Sequence, residues 1–600
     1  MYFYSFRILC MSLISPDEFG RALYLQKLGL KSLAVPLMKL LKIQRINEIY
    51  DKYEHSEGLD FIDSCLEELK VVYEVPVNDY KNIPTSGPVV FIANHPYGGL
   101  DGLLLIRLIA GVRPDVKVMA NYILKSIKPI SDYFLPVDPF ERKDSAQKSM
   151  AGIKSSLKVL SDGGCLAIFP AGEVSSFHAN SKKITDKEWN PFIGKLIAKS
   201  EAKVVPIYFS GNNGLLFNLL GMIHPRLRTA RLPSELLNKK KHTIKIRIGK
   251  AISREDVAEF SDNTQLMRFL RAKTYALATS LEVKRRYFTI PLHAKSVPEK
   301  IIDPVDQDLL IQEIEKIKES DLIIEFQDFD VYLSESGDIP HLLREIGRLR
   351  EITFREIGEG TNRAIDIDEF DLYFHHLFIW SKSEKRIVGA YRIGKGNDLY
   401  NKFGVKGFYI STLFDIHRKL HPMLKQSVEL GRSFIIKEYQ QKVYILLLLW
   451  RGILTFIKQN PEYRYLIGPV SISNNFLKIS KTLLVHYIRQ NYYDHEMARY
   501  VSAKKEFKVR LANIDAEILL QREKSIFMKT IDDIISELEP EGFKTPVLLK
   551  KYLKQNGKII GFNIDPKFNN ALDGFIVMDI KDAPEETLQM LEKQSIQIQK

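Results

Sequence analysis

The hydrophobic positions between residues 88 and 252 fall into short continuous runs, and the stretches between these runs carry apolar residues at helical spacing. A short apolar run bounded by Gly, Pro or polar residues predicts a buried strand. The predicted strands are Val89–Ala93, Val116–Ala120, Cys165–Phe169, Val204–Phe209 and Thr243–Ile248. The helices predicted between them include Gly102–Ala110 and Gln147–Leu160. Strands that alternate with helices are typical of an α/β layer structure.

The remaining residues are helical or mixed in pattern. Residues 14–80 and 253–320 have apolar positions at helical spacing, and Pro298 and Pro304 stand among polar residues near 300. The second half mixes both periods, with helices predicted at Ile339–Glu351 and Val443–Phe456 and strands predicted within Phe370–Trp380, Arg386–Ile393, Val428–Ile436, Gly561–Asp565 and Leu572–Val577. A chain of 600 residues is too long for one core. We therefore predict two α/β domains, divided as a helical segment 1–80, a first domain 81–290, a connector 291–320 and a second domain 321–600.

Candidate chemistry first emerges where the strand Val89–Ala93 ends. His95 follows the strand, Gly98 and Gly99 permit a tight turn, and Asp101 opens the next apolar helix. A carboxylate at that point can accept the imidazole N–H and fix its tautomer, which leaves the other ring nitrogen as a general base for a hydroxyl nucleophile. The alternative is a turn with a solvated His and a helix-capping Asp.

The positive charge of the chain is concentrated in its first half. The net charge is +13, and residues 226–250 hold nine basic residues, among them Lys239, Lys240 and Lys241, against one Glu. Such a patch suits nucleic acid or an anionic membrane, and the neighbouring apolar run Leu215–Ile223 favours the membrane. A core segment followed by a solvated charged loop is the alternative interpretation.

Membrane-spanning and export signals are not predicted. The best apolar stretch, Val443–Ile457, contains Arg451 and falls short of the ~20 residues of a spanning helix. Met1–Cys10 is apolar but has no clear cleavage site. Three scattered cysteines fit a reducing compartment and no zinc site, and we predict no metal site. We therefore expect a cytoplasmic protein that is peripheral on the inner face of the cell membrane.

Four ordered blocks in the first half resemble the glycerophosphate and lysophospholipid acyltransferase family over about residues 75–260. The blocks are His95…Asp101, Pro136-Val137-Asp138 with Arg142, Phe169-Pro170-Ala171-Gly172, and Val205-Pro206-Ile207. The resemblance implies a glycerophosphate-acyltransferase-like α/β fold and an acyl-thioester donor. It also implies that His95 is the base and Asp101 its orienting partner, and that the substrate is bound by Asn94, Arg142, Phe169, Pro170, Gly172 and Glu173.

Two departures from the family pattern bear on the substrate. Five residues separate His95 from Asp101 where the family has four. In the third block, Glu173 and Val174 replace a Thr and an Arg, and the family's Arg is taken to hold the acceptor's phosphate. Valine cannot bind an anion in this way. We therefore expect an acceptor without a phosphate monoester at that place, with Glu173 either meeting a cationic headgroup or lying in solvent.

The second half resembles the ornithine N-acyltransferases, once labelled haemolysins, and their relatives the acyl-homoserine-lactone synthases, over about residues 320–480. The residues that carry this resemblance are Asp368, Phe370-Asp371, Val388–Arg392, Phe414-Asp415, Glu429–Ser433, Leu449–Gly452 and Tyr465–Gly468. The resemblance implies an N-acetyltransferase-like α+β fold, with Glu429 as general base or amine anchor and Asp371, Arg392 and Arg432 as substrate-binding residues. For the arginines, a buried ion-pair network is the alternative.

The two resemblances together imply a bifunctional aminolipid synthase. The second half would transfer a 3-hydroxyacyl group to an amino acid, with ornithine expected and glycine or serine as alternatives, and the first half would esterify the hydroxyl. Because the segment Tyr439–Lys442 lacks the glycines of acetyltransferase cofactor loops, acyl carrier protein is favoured over coenzyme A as donor. We expect no bound cofactor and no nucleic-acid partner. The alternatives are a lysophospholipid acyltransferase whose second half only binds, and a membrane-binding lytic protein.

Overall fold

The computed structural model describes residues 13–22, 29–137, 145–178, 183–238, 243–278, 298–509, 515–520, 528–539 and 543–589. The chain divides into two compact units. The first unit comprises Met1–Lys284 together with Ala512–Arg522, and the second comprises Arg285–Leu511 together with Glu523–Lys600.

The first unit alternates helices and strands as predicted. Its helices are α1 (Pro16–Ala22), α2 (Ala34–Leu40), α3 (Ile43–Tyr53), α4 (Gly58–Glu68), α5 (Gly99–Ala110), α6 (Ser145–Ser161), α7 (Pro191–Lys199), α8 (Leu215–Ile223), α9 (Pro225–Leu237), α10 (Arg254–Ala258) and α11 (Asn263–Ala276). Its strands are β1 (Val72–Glu74), β2 (Val89–Ala93), β3 (Val116–Asn121), β4 (Phe134–Val137), β5 (Cys165–Ile168), β6 (Ser176–His178), β7 (Lys183–Thr185), β8 (Lys203–Phe209) and β9 (Thr243–Ile248).

The main sheet of this unit has the strand order β1-β9-β8-β2-β5-β3-β4. Strands β8, β2, β5, β3 and β4 run parallel, and β9 is antiparallel to β8. Strand β2 lies between β5 and β8, and all five of its residues are buried, which is why it reads as a continuous apolar run. The carboxyl ends of β2, β5 and β8 therefore lie side by side at one edge of the sheet.

The predicted strands of the first unit are confirmed to within one residue at each end. Four strands were not predicted: β6 and β7, which pair only with each other, and two strands of the main sheet. Val72–Glu74 lies in the segment expected to be helical and pairs with β9 instead, and Phe134–Val137 adds an edge strand beside β3. Edge position tolerates Pro136, which has no N–H to donate. Both strands are short and were not separable from loop by pattern alone.

The second unit also mixes helices and strands. Its helices are α12 (Gln307–Asp321), α13 (Pro340–Glu356), α14 (Gly396–Phe403), α15 (His421–Lys425), α16 (Val443–Gln459), α17 (Lys478–Asn491) and α18 (His495–Ala498), followed after α19 (Ala516–Leu520) by α20 (Lys529–Leu538) and α21 (Val547–Lys554). Its strands are β10 (Leu322–Phe326), β11 (Phe329–Glu335), β12 (His375–Ser381), β13 (Arg386–Lys395), β14 (Phe414–Ile416), β15 (Ser427–Ile435), β16 (Tyr465–Ile472), β17 (Val501–Ala503), β18 (Lys558–Asp565) and β19 (Ala571–Asp579).

The central sheet of the second unit has the order β10-β11-β12-β13-β15-β16-β19-β18. It is antiparallel except where β15 meets β16, and that parallel pairing covers only Ser427–Glu429 and Tyr465–Ile467. The predicted hairpin of β12 and β13, the strand β15 followed by helix α16, and the final pair β18 and β19 are all present. The helix α12, which lies within the predicted connector 291–320 for most of its length, packs on α13 and β11 of this unit.

One segment of the second half of the sequence belongs to the first unit. Helix α19 packs on α11, and Arg268 of α11 donates two hydrogen bonds, of 3.1 and 2.6 Å, to Oδ2 of Asp515. Ile518, Leu519 and Leu520 are buried there. The predicted second domain, 321–600, included this segment, so the first unit is built from two separated parts of the chain.

Candidate active sites

The turn that carries His95 is tied to the neighbouring strand β8 by Asn94. The side-chain amide of Asn94 donates to the carbonyl of Phe209 over 2.9 Å, and its oxygen accepts the N–H of Phe209 over 2.7 Å. Both polar atoms of Asn94 are thus used within the protein. These two bonds fix where the chain leaves β2, and the substrate contact predicted for Asn94 stays a prediction.

His95 and Asp101 are brought together across this turn, as the spacing predicted. Oδ2 of Asp101 accepts Nδ1–H of His95 over 3.0 Å and also the main-chain N–H groups of Tyr97 and Gly98 over 2.7 and 3.0 Å. The fifth intervening residue is accommodated because Gly98 adopts a positive φ of 89°. Burial raises the pKa of Asp101, and the hydrogen bonds from His95 and the turn oppose that rise.

The imidazole itself remains partly open. The side chain of His95 is 17% exposed, and its ring stacks on that of Phe169 with a centroid distance of 4.0 Å. Since Nδ1 is held by Asp101, Nε2 is the nitrogen left to accept a proton. A hydroxyl brought to Nε2 could be deprotonated there, which is what a general base requires.

The main chain of His95 is held by Asp186, a residue that the sequence did not single out. Oδ1 of Asp186 accepts the N–H of His95 over 3.2 Å and the hydroxyl of Ser175, and Oδ2 accepts the indole N–H of Trp189 over 3.0 Å. The N–H of Ser175 in turn donates to the carbonyl of His95 over 2.8 Å. Asp186 is thus a buried positioning residue that joins the His95 turn to the third block.

The third block turns tightly after β5. The N–H of Gly172 donates to the carbonyl of Phe169 over 3.0 Å, with Gly172 at φ 68°, and the carbonyl of Pro170 accepts the N–H of Asn190 over 3.1 Å. Glu173 lies 3.2 Å from Nζ of Lys187 and 3.1 Å from Nη2 of Arg228. The expectation that Glu173 meets a cationic headgroup is not supported by this geometry, because two cations of the protein already engage its carboxylate.

Several predicted residues lie outside the described part of the chain. Arg142 and Asp138 of the middle block fall in 138–144, and Lys239, Lys240 and Lys241 fall in 239–242. Helix α8, between these segments, is well described and exposes much of its apolar surface. The exposed fractions are 77% for Leu215, 60% for Met222 and 74% for Ile223. Of the described residues, no helix combines the length and apolar character needed to cross a bilayer.

The second unit has a buried cluster of alternating charges around the predicted site. Arg350 donates to both carboxylate oxygens of Asp371 over 2.8 Å each, and Arg392 lies 2.6 Å from Asp368. Arg432 pairs with Asp368 at 3.0 Å and with Asp366 at 3.3 Å. Although burial raises the pKa of Asp371, the guanidinium groups of Arg350 and Arg392 lower it well below its usual range.

Three of the predicted substrate-binding residues lie within this cluster. Asp371, Arg392 and Arg432 were expected to bind substrate, but each is engaged by an oppositely charged side chain of the protein. Aromatic rings enclose the arginines further, with the guanidinium of Arg432 4.1 Å from the ring centroid of Phe568. The alternative that the sequence left open, a buried ion-pair network, is what the structure contains. Arg432 also has a positive φ of 52°, a strained conformation for a residue with a Cβ.

Glu429 lies beside this network but is bound differently. Its two carboxylate oxygens accept the main-chain N–H groups of Tyr409 and Ile410 over 2.8 and 2.6 Å. The side chain is buried, and burial raises the pKa of Glu429 to about 7, against the effect of these hydrogen bonds and of Arg392. A carboxylate that can change its protonation state near neutral pH is suited to accept a proton.

A small cavity of about 10 Å³ lies near Glu429, where the pairing of β15 with β16 stops at Glu429 and Ile467. It is lined by Leu430, Leu466, Ile467, Gly468, Pro469, Tyr552, Ile576 and Met578. A Cβ on Gly468 would lie 2.1 Å from the carbonyl oxygen of Leu430, so only glycine fits this position.

The two units match two different families of acyl-group transferases. A family described as "Acyltransferase" matches residues 27–284, and a family described as "Acetyltransferase (GNAT) domain" matches residues 349–450. The predicted architecture is thereby confirmed as two α/β domains, an N-terminal acyltransferase domain and a C-terminal GNAT-like domain. The chain is an enzyme of the acyltransferase class.

Curated relatives resemble parts of the chain. A protein named glycine N(alpha)-acyltransferase from Bacteroides thetaiotaomicron is 26% identical over 301 residues, which is 48% of this chain and 88% of the relative. A protein named lyso-glycine lipid O-acyltransferase from the same organism is 27% identical over 252 residues, which is 40% of this chain and 88% of the relative.

A solved structure also matches part of the chain. The 1-acyl-sn-glycerophosphate acyltransferase of Thermotoga maritima is 14% identical and covers 35% of this chain and 77% of its own, with a TM-score of 0.22.

Proposed function

We propose that this chain is a bifunctional aminolipid synthase that acylates an amino acid first on nitrogen and then on oxygen. The GNAT-like unit would transfer a 3-hydroxyacyl group to the α-amine, and the N-terminal unit would esterify the new hydroxyl. The observation that carries the proposal is the union in one chain of two acyltransferase domains, with curated relatives whose names describe an N-acylation and an O-acylation. The order follows from chemistry, because an amino acid such as glycine or ornithine has no hydroxyl until the first acyl group arrives.

In the O-acylation, His95 acts as the general base. As the acceptor hydroxyl attacks the thioester carbonyl, Nε2 of His95 takes the hydroxyl proton, and the proton then passes to the departing thiolate, so that ester and thiol are the products. Asp101 accepts Nδ1–H over 3.0 Å and stabilises the imidazolium that forms. Asp186 and Ser175 hold the main chain of His95 so that the ring stays in place.

In the N-acylation, Glu429 acts as the base for the substrate amine. As the amine attacks the thioester carbonyl it loses a proton, which Glu429, with its pKa raised to about 7 by burial, can accept at neutral pH. The C–S bond then breaks and the departing thiolate takes up the proton, so that amide and thiol are the products. The buried arginines and aspartates do not contact substrate in this proposal. They fix β13, β15 and the segment that follows α13 around Glu429.

The donor and the amino acid are narrower proposals. Acyl carrier protein is proposed as donor from the sequence of Tyr439–Lys442, which lacks glycine. For the amino acid, the family resemblance implies ornithine, whereas the names of the curated relatives favour glycine. Both are α-amino acids that a single site could present to Glu429, so they are best separated by direct competition.

We also propose that the enzyme works at a membrane surface. The exposed apolar side chains of α8, together with the run Lys239-Lys240-Lys241 in the sequence, give the combination that interfacial segments use. A lipid acceptor with one acyl chain would reach the N-terminal site from that surface. Vesicle co-sedimentation of the variant Leu215→Ser/Ile223→Ser would test this role, with loss of binding expected and unchanged binding contradicting it.

The decisive experiment uses the purified full chain with a 3-hydroxyacyl carrier protein, a second acyl carrier protein and an equimolar mixture of glycine, ornithine and serine. Mass spectrometry should detect one N-(3-hydroxyacyl) amino acid and then its O-acylated product. The headgroup of the product identifies the amino acid. Acylation of lysophosphatidic acid with no acylation of any amino acid would refute the proposal and leave a phospholipid acyltransferase.

A further inference from the structure

The carboxylate of Glu173 is shared by two cations of the first unit. Lys187 Nζ lies 3.2 Å and Arg228 Nη2 lies 3.1 Å from it, so this triad carries one uncompensated positive charge. The three side chains differ in exposure, at 52% for Lys187, 40% for Glu173 and 10% for Arg228. Arg228 is therefore the cation that is held away from bulk water, where a charge interacts more strongly with a ligand.

Arg228 is fixed in place by apolar contacts. A Cβ on Gly221 of α8 would lie 2.9 Å from Cδ of Arg228, so the stem of the arginine packs directly on the α8 backbone. Its guanidinium lies 6.0 Å from the ring centroid of Phe217. A guanidinium held in this way loses little side-chain entropy when it binds an anion, and its planar set of donors matches a carboxylate.

Helix α9 places Arg228 beside the turn that carries His95. Leu232 is one helical turn further along α9, and a Cβ on Gly98 would lie 3.1 Å from Leu232 and 3.3 Å from Val174. Glu173 is two residues before Ser175, whose N–H donates to the carbonyl of His95. The triad is therefore close to the catalytic turn both through the packing of α9 on that turn and through the chain that runs from Glu173 to Ser175.

From this juxtaposition we propose that Arg228 binds the carboxylate of the O-acylation acceptor, an N-(3-hydroxyacyl) amino acid. The inference rests on the proposed function and names the part of the substrate that the first unit recognises. In such an acceptor, the 3-hydroxyl and the carboxylate are separated by one amide unit and its two flanking carbons, on the order of 7 Å when extended. Along the axis of α9, Arg228 lies about one helical turn, about 5.4 Å, from Leu232, which packs at the His95 turn. This spacing is similar to the distance between the two groups of the acceptor.

The test compares acceptors that differ only in charge. The full chain is assayed for O-acylation of N-(3-hydroxyacyl)glycine, of the corresponding glycinamide and of lysophosphatidic acid, with KM and kcat measured separately. We expect the wild-type chain to prefer the free carboxylate over the amide. The variant Arg228→Gln should raise KM for the carboxylate roughly ten- to hundredfold and change KM for the amide little, since a charged hydrogen bond is lost only with the former.

Two further variants separate binding from folding. Glu173→Gln removes the anion that competes for Arg228, so KM for the carboxylate acceptor should fall, a direction that mere damage to the fold would not produce. Arg254→Gln, which breaks an exposed ion pair with Glu201 in the same unit, is the matched control and should leave both acceptors unaffected. Thermal unfolding of each variant reports whether the unit remains folded.

The outcomes are distinguishable. Equal loss of activity on the carboxylate and the amide in Arg228→Gln, or no preference for the carboxylate in the wild-type chain, would overturn the assignment while the proposed function stands. If Arg228→Gln loses activity on lysophosphatidic acid alone, Arg228 binds a phosphate, and this outcome also overturns the assignment. Acylation of lysophosphatidic acid by a wild-type chain that ignores both amino acid derivatives would refute the proposed function itself.

Discussion

The two units place their most buried carboxylates in opposite electrostatic surroundings. Asp101 in the first unit receives its hydrogen bonds from two main-chain N–H groups and an imidazole. Asp371 in the second unit receives two from the guanidinium of Arg350 and lies 3.4 Å from that of Arg392. Burial therefore raises the pKa of Asp101, whereas the guanidinium groups lower the pKa of Asp371 despite its burial.

This contrast separates residues suited to proton transfer from residues suited to support. A carboxylate held by neutral donors can respond when its partner gains a proton, but one fixed between guanidinium groups stays ionised across the physiological range. The same criterion divides the second unit internally. Glu429 is held by main-chain N–H groups and has a raised pKa, so it belongs with Asp101 and not with Asp371.

The largest expected effect is the loss of O-acylation by the first unit while N-acylation by the second unit is retained. The variant His95→Ala should lower the rate of O-acylation by about 10²- to 10⁴-fold, because a general base contributes that much. N-Acylation should continue at the wild-type rate, so the monoacylated amino acid should accumulate and be visible by mass spectrometry. Formation of the diacylated lipid at the wild-type rate would remove His95 from the mechanism.

The next prediction concerns the support network of the second unit. Asp371→Asn removes one charge from a buried cluster and leaves Arg350 with Asp366, 3.4 Å from its Nε, as its remaining carboxylate, so the free energy of unfolding of this unit should fall by about 3–5 kcal/mol. N-Acylation should be lost at temperatures where O-acylation of a supplied hydroxyacyl amino acid persists. Differential scanning calorimetry of the full chain measures the shift.

An exposed ion pair in the same unit is the matched control. Glu325→Gln breaks a pair with Lys382, in which the two side chains are 66% and 37% exposed, and should change stability by less than about 1 kcal/mol. If Asp371→Asn is as mild as this control and yet abolishes N-acylation, Asp371 acts on the substrate and the contrast drawn with Asp101 fails.

The first site was predictable because its partners are close in sequence. His95 and Asp101 are six residues apart on either side of one turn, so a pattern of strand, glycines and helix was enough to pair them. Asp186 was missed because it reaches Ser175 only through the hairpin of β6 and β7, which pairs Ser176 with Thr185 and returns the chain beside the third block. The spacing of residues within the four sequence blocks does not predict that hairpin.

The second site was only partly predictable because tertiary folding assembles it. Arg350 and Asp371 are 21 residues apart, and Arg432 and Asp368 are 64 residues apart. The sequence identified Arg392, Arg432 and Asp371 as important but could not tell whether their partners were substrate or protein. Whether the partner is substrate or protein depends on which charged residues the sheet brings together, and this cannot be read from the residue types alone.

A third prediction tests whether the units are energetically separate although the chain crosses between them. Leu519 lies in the second half of the sequence but is fully buried in α19 of the first unit. Leu519→Ala should cost the first unit about 2–5 kcal/mol through the cavity it leaves. O-Acylation should become thermolabile while N-acylation does not.

The crossing segment also changes what a fragment can do. A fragment that ends near residue 300 lacks α19 and exposes the face of α11 on which it packs, so we expect its O-acylation activity to be weaker than that of the full chain. The variant Asp515→Ala removes the partly exposed pair with Arg268 and the hydrogen bond from the N–H of Ile518, and it should have a small effect by comparison. A heat-labile N-acylation activity in Leu519→Ala would assign α19 to the second unit instead.

The smallest expected effect is on the pH dependence of Tm, which should have opposite directions for a carboxyl held by a neutral donor and for one paired with an arginine. Asp573 in the second unit is buried, accepts the hydroxyl of Ser471 over 2.6 Å, and has its pKa raised to about 8 by burial and by the nearby charges of Asp565 and Glu359. Its folded-state pKa is above the unfolded value of about 3.9, so the stability it contributes is complete below pH 4 and is lost as the pH rises through 8. Asn at this position keeps the hydrogen bond without the charge. We expect Asp573→Asn to match the wild-type Tm at pH 4 and to exceed it by a few degrees at pH 8.5.

Asp115→Asn in the first unit should behave in the opposite way, because the hydrogen bond from Arg113 lowers the pKa of Asp115 and its stabilising effect is present only above the unfolded pKa. The Tm difference between each variant and the wild-type chain, measured from pH 2 to 9, cancels the other titrating groups and spans the pH range of both carboxyl groups. A rising difference for Asp573→Asn with a falling one for Asp115→Asn would support the contrast, and curves of the same sign would contradict it.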